Sequence, residues 1–112
     1  MNIATQEVTK KVITICPEGR LDSFAAPQLR SKLIALIEAG YNQIVLDLRT
    51  IEFLDSAGIA VLVNTLKRTR QTGGDTKLVT PYDDSTMRMF RLTQFDKIFT
   101  MVDTPEEGVE LF

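Results

Sequence analysis

Ile44-Val45-Leu46-Asp47-Leu48 is the segment that most constrains how this chain folds. It is short and nearly all apolar, the pattern of a central strand covered on both faces. A helical pattern precedes it and another follows. A strand–helix–strand order needs crossover connections, and hence a largely parallel sheet region.

The flanking segments extend this pattern. Ile3 to Val8 reads as a short, imperfectly alternating strand, and Thr9-Lys10-Lys11 as a hairpin connection. Val12-Ile13-Thr14-Ile15-Cys16 is a β-branched strand that Pro17 and Gly19 end or bend. Asp22 and Ser23 supply cap chemistry before a helix with Pro27 in its first turn and Leu29, Leu33, Leu36 and Ile37 on one face. Gly40 stops it. A second helix from Ser56 carries Ile59, Leu62, Val63 and Leu66, and ends in Lys67-Arg68-Thr69-Arg70 before Gly73-Gly74. Those cations read as a solvated helix end. Lys77 to Thr80 is the next strand. Asp83-Asp84-Ser85 caps a short helix bearing Met87, Phe90 and Leu92, and Ile98 to Val102 is the last strand. Thr104-Pro105-Glu106-Glu107 is a capping box that opens a final helix. The expected fold is one α/β domain over residues 1–112, a mixed sheet of about five strands with about four helices in the order ββαβαβαβα.

Composition narrows the chemistry. The 112 residues carry a net charge of −2, which gives no strong pull toward nucleic acid or anionic membrane. No apolar run approaches the ~20 residues of a membrane helix, and no signal peptide is read, so a cytoplasmic location without membrane insertion is expected. Histidine is absent, and Cys16 is the sole cysteine, read as a buried, inert thiol. Without histidine there is no Ser-His-Asp or Cys-His nucleophile, and one cysteine makes no cysteine-rich zinc site. Gly73-Gly74-Asp75-Thr76-Lys77 is not a phosphate loop. Neither an enzyme, a cofactor nor a metal is expected.

One stretch stands out: Phe53-Leu54-Asp55-Ser56-Ala57-Gly58-Ile59. A strand ends, the chain turns, and a hydroxyl sits at a helix start. Ser56 reads both as an N-cap and as an accessible acceptor, because a phosphate there would meet unpaired backbone N–H groups. Ala57 and Gly58 would let a partner backbone approach closely. Ala60, Val61 and Asn64 lie off the buried stripe; Val61 is either covered by a neighbouring strand or an interface anchor. Asp22 is either a cap or an interface residue. Asp47 reads as structural, bonding loop N–H groups.

These segments together resemble the STAS domain, shared by sulfate transporters and anti-sigma factor antagonists. The resemblance runs from about Val8 to Leu111 and rests on Gly19-Arg20-Leu21-Asp22, Ile44 to Leu48, Phe53 to Gly58, Gly73-Gly74, and Phe90 to Phe99. It departs from the pattern at Ala57, where many antagonists have a second serine, and at Gln94, where glycine is common. A chain like this resembles the free-standing antagonists of partner-switching pathways. The resemblance implies that the unphosphorylated form binds an anti-sigma factor that is also a serine kinase, releasing the sigma factor. Phosphorylation of Ser56 would end binding, and a PP2C-type phosphatase would restore it. The implied partner surface is Asp22, Ser23, Asp55, Ser56, Ala57, Gly58, Ala60, Val61 and Asn64, on a monomer or weak dimer. A different role open to STAS-like domains is that of a non-phosphorylated accessory subunit in a stress-sensing assembly or on a lipid transporter.

Overall fold

The structure, a computed structural model, describes residues 1–8 and 11–112. Seven strands and four helices follow one another as β1 (Ile3–Val8), β2 (Val12–Pro17), β3 (Gly19–Leu21), α1 (Ala26–Glu38), β4 (Gln43–Asp47), β5 (Ile51–Leu54), α2 (Ser56–Gln71), β6 (Asp75–Val79), α3 (Asp84–Thr93), β7 (Thr100–Val102) and α4 (Pro105–Glu110). The hairpin expected at Thr9-Lys10-Lys11 falls largely outside the described residues.

The main sheet has five strands in the order β1-β2-β4-β6-β7. β1 runs antiparallel to β2, with Ile3 opposite Pro17, and the remaining neighbours are parallel. The mixed α/β architecture expected from the sequence is therefore the one observed. Residues along β4 split between two cores, as a doubly covered strand must. Ile44 and Leu46 pack with Ile13, Ile15, Leu29, Leu33, Leu62, Leu66, Leu78 and Phe90. Val45 joins Val12, Val79 and Val102, against which Val109 and Phe112 of the C-terminal segment lie.

A second sheet, β3 paired in parallel with β5, is additional to the five strands the sequence predicts. Three and four residues are too few to establish a period. It matters for the site, because Leu21 pairs with Leu54 and the segments that follow both strands emerge side by side.

Other differences are local. Leu92 is 73% exposed, so α3 is anchored by Phe90 and Thr86 and not by Leu92. The last strand starts at Thr100 because Phe95–Lys97 form a 3-10 turn, entered through Gln94 in the left-handed region at φ 59°. Gln94 thus adopts the backbone conformation that favours glycine. Arg70 at the end of α2 is held by Asp75 at 3.1 Å and by the carbonyl of Ile98. Asp83 caps α3 through the N–H of Thr86 and takes the hydroxyls of Ser85 and Thr86. Those bonds, led by that of Ser85, hold its carboxyl below the ordinary range.

Asp47 has the structural role expected of it. Its carboxylate accepts the Arg49 backbone N–H at 3.1 Å and a forked pair of guanidinium bonds, Nε at 3.0 Å and a terminal nitrogen at 2.8 Å. The Asp47 side chain is 5% exposed and that of Arg49 is 31% exposed. Losing the cation strands a buried carboxylate, whereas losing the carboxylate leaves a cation that reaches water. Arg49→Met should therefore destabilise the fold by about 3 kcal/mol, and Asp47→Leu by distinctly less, as read from urea midpoints. Equal losses would contradict this asymmetry.

Candidate functional site

The candidate site is where β3 and β5 release their chains. Asp55 organises it. One carboxylate oxygen accepts the N–H groups of Ala57 at 2.9 Å and Gly58 at 3.0 Å. The other accepts the N–H of Ser23 at 3.0 Å. The first pair caps α2, and the third bond fastens the β3–α1 loop to that cap. Ser56 was expected to cap this helix, but Asp55 does so: it has the extended backbone of an N-cap, and Ser56 is already the first helical residue. An aspartate fits because a carboxylate accepts several N–H groups at the positive end of a helix, which one hydroxyl does not. Ser56 is left exposed, and among the described residues its hydroxyl has no hydrogen-bond partner.

Asp22 shapes the neighbouring loop. Its Oδ1 accepts the N–H groups of Ala25 at 2.9 Å and Phe24 at 3.1 Å. Arg20 lies 3.5 Å from its other oxygen and stacks over the Phe53 ring, 4.0 Å from the centroid. The bond from Ala25, then those from Phe24 and Arg20, holds the Asp22 carboxyl below its ordinary value. Asp22 makes a turn and does not cap α1; that helix begins at Ala26, with no side-chain cap on Ala25 and with Pro27 in its first turn.

Gly58 is turned inward. A Cβ there would lie 2.5 Å from the Leu21 carbonyl oxygen and 2.8 Å from the Leu21 Cγ. The close approach expected of a partner backbone is made instead by the chain's own β3. Val61 is buried, with 7% exposure, yet lines the floor of a groove between α1 and α2. Ala57, Ala60 and Asn64 line the same groove, and Ser23 stands at it too. Of the nine residues singled out in the sequence, five (Ser23, Ala57, Ala60, Val61 and Asn64) line the groove, Asp22 and Asp55 hold the loop and helix start beside it, Ser56 directly precedes Ala57, and Gly58 is turned away toward Leu21.

The sequence reading did not single out the α1 wall of this groove, in particular Arg30 and Ile34, nor the 84% exposed Phe24. Phe24 had a signal, a lone aromatic in a polar loop. The α1 wall had none, since only tertiary packing pairs it with α2. Cys16 is half-buried near Asp47; burial, then the Asp47 charge, raises its thiol pKa, in keeping with an inert thiol. Among the described residues no cluster of three acidic or cysteine side chains could hold a metal ion, and no helix is long and apolar enough to cross a membrane.

The chain belongs to the STAS domain family, whose model matches residues 4–108. Among its relatives is the anti-sigma-B factor antagonist of Bacillus subtilis, 33% identical over 92 residues, which cover 82% of this chain and 83% of the relative. The crystal structure of a candidate anti-sigma factor antagonist from Thermotoga maritima superposes with a TM-score of 0.89 at 30% identity, covering 96% of this chain and 92% of that one. The antagonist SpoIIAA shares the fold at 23% identity. Its unphosphorylated form has a TM-score of 0.82, covering 97% of this chain and 94% of that one. Its phosphorylated form has a TM-score of 0.75 and covers 97% of each chain.

Two predictions follow from this geometry. Asp55→Ala should destabilise the protein by about 2 kcal/mol, because it removes both the cap and the tie to Ser23, while Ser56→Ala stays within about 0.5 kcal/mol of wild type. Thermal melts of the two variants check this; the reverse order would return the cap to Ser56. The second concerns pH. A carboxyl depressed in the folded state contributes stability above its unfolded pKa, and that contribution is lost as pH falls through the folded value. The stability gap between the protein and Asp22→Asn should hold at neutral pH and close as pH falls below the ordinary value of 3.8. A gap that persists in acid would show that the charge of Asp22 is not what matters.

Proposed function

We propose that this protein is an anti-sigma factor antagonist of a partner-switching pathway. Its unphosphorylated form binds an anti-sigma factor that is also a serine kinase, so releasing the sigma factor. Phosphorylation of Ser56 ends that binding, and a PP2C-type phosphatase reverses the modification. In this reading it works in the cytoplasm as a monomer or weak dimer, is a substrate and not a catalyst, and touches no nucleic acid.

The observation that carries the reading is the division of labour between Asp55 and Ser56. Capping falls to Asp55, so the Ser56 hydroxyl stands exposed and unengaged beside the groove. Relatives named as anti-sigma factor antagonists support the role, and the two phosphorylation states in which SpoIIAA has been solved support the kind of switch.

A phosphate on Ser56 would add about −1.5 to −2 charges. The N-terminus of α2 stabilises such a charge by about 0.3–1 kcal/mol, while the Asp55 carboxylate next to it opposes it. These terms partly cancel, so the fold changes little. The effect falls on the partner, which must desolvate or repel the phosphate.

Incubation with ATP and a lysate of the native host should add one phosphate to the protein, mapped to Ser56, and none to Ser56→Ala. Absence of phosphate on the wild type in a kinase-active lysate would count against the reading.

A further inference from the structure

We propose that the groove between α1 and α2 docks an apolar segment of the protein partner that carries a carboxylate, with Arg30 as the charge that selects it. The proposal rests on the reading of this face as the partner surface and specifies what the partner must present there.

The groove holds about 660 Å³ and lies open between the two helices. Its walls are mostly apolar: Ala26, Pro27 and Ile34 from α1 and its start, facing Ala57, Ala60 and Val61 from α2. Alanines at 57 and 60 keep the α2 wall low, so apolar side chains can enter. Among the described residues, Arg30 is the only charged one lining it. Arg30 is exposed, and among the described residues it has no ion-pair or hydrogen-bond partner.

The surrounding charges are already committed. Arg20 is engaged by Asp22 and Phe53. Both oxygens of Asp55 are taken by backbone N–H groups, and those of Asp22 by two N–H groups and Arg20. What faces the groove is one free guanidinium; the positive end of α2 beside it is offset by the Asp55 carboxylate that caps it. An apolar segment with a carboxylate complements that field, and a basic one does not. Phe24, 84% exposed with its backbone N–H held by Asp22, follows Ser23 and offers an exposed aromatic ring to a partner.

This also gives the switch a target. Ser56 directly precedes Ala57 on the groove wall, so a phosphate there would offset Arg30 and repel the incoming carboxylate.

The test uses isotope-labelled protein titrated with two blocked, leucine-containing synthetic peptides that differ at one central position, glutamate or lysine. The glutamate peptide should move the amide signals of Arg30, Ala57, Ala60 and Asn64, and should bind about fivefold to tenfold more tightly than the lysine peptide. Arg30→Glu, an exposed helix substitution that leaves the fold intact, should invert the preference. Equal binding of both peptides, binding of neither, or an unchanged preference in Arg30→Glu would overturn the proposal. So would saturable binding of octanoate in place of either peptide, which would assign the groove to a small ligand. The Ser56 phosphorylation assay separates this proposal from the reading it rests on. If Arg30→Glu is phosphorylated as fast as wild type, the docking groove fails and the phosphoswitch stands. If the groove selects glutamate but Ser56 is never phosphorylated, the switch fails and the groove stands.

Discussion

The carboxylate of Asp55 is the interaction on which this site depends. Its oxygens accept backbone N–H groups from two separate segments, the first turn of α2 and the β3–α1 loop. N–H groups at a helix start have no partner within the helix, and an exposed loop has no ladder to satisfy it. A single ionised group resolves both and joins the two segments. The arrangement works only because β3 and β5 pair in parallel, so that Leu21 and Leu54 run side by side and their following residues emerge together. The approach is close enough that a side chain at position 58 would strike the Leu21 carbonyl, which explains a glycine inside the first turn of α2. The small sheet, the carboxylate and the glycine form one device.

Below this device the main sheet supplies rigidity. β4 sends Ile44 and Leu46 into one core and Val45 into the other, so the strand that leads toward the site is fixed from both faces. The forked Asp47–Arg49 pair then closes the end of β4 just before the chain turns into β5. An exposed residue at the start of α2 is therefore presented on a scaffold with few soft degrees of freedom, as a recognition surface requires.

How much of this was legible in the sequence depended on the range of the interactions. The apolar run at Ile44–Leu48 and the stripe of Ile59, Leu62 and Leu66 announced their elements because periodicity and burial are local signals. The Asp83 and Thr104 caps were readable for the same reason: acceptor and donor lie within three residues of each other. The cap of α2 falls on Asp55, one residue before Ser56, because both carry cap chemistry and local pattern does not separate them; the further tie from Asp55 to Ser23 spans 32 residues and leaves no local signal. The α1 wall of the groove is equally nonlocal. Arg30 lies outside the Leu29, Leu33, Leu36 and Ile37 face of its helix, and only the packing of α1 beside α2 turns that exposed cation into the sole charge, among the described residues, that lines a groove.

The one-residue displacement of the cap has a physical consequence. Had Ser56 capped the helix, its phosphate would have become the acceptor for the first-turn N–H groups, and the switch would have acted on α2 itself. With Asp55 as cap, the N–H groups of Ala57 and Gly58 already have their acceptor, and a phosphate at the next position has no structural bond to displace. Its charge must then be expressed outward, toward whatever occupies the surface beside it. In the proposed switch, the same placement would keep the domain folded in both states, so that removal of the phosphate would restore a surface that was never dismantled. A switch of this kind would be reversible because the residue proposed to carry the modification, Ser56, is not the residue that holds the structure, Asp55.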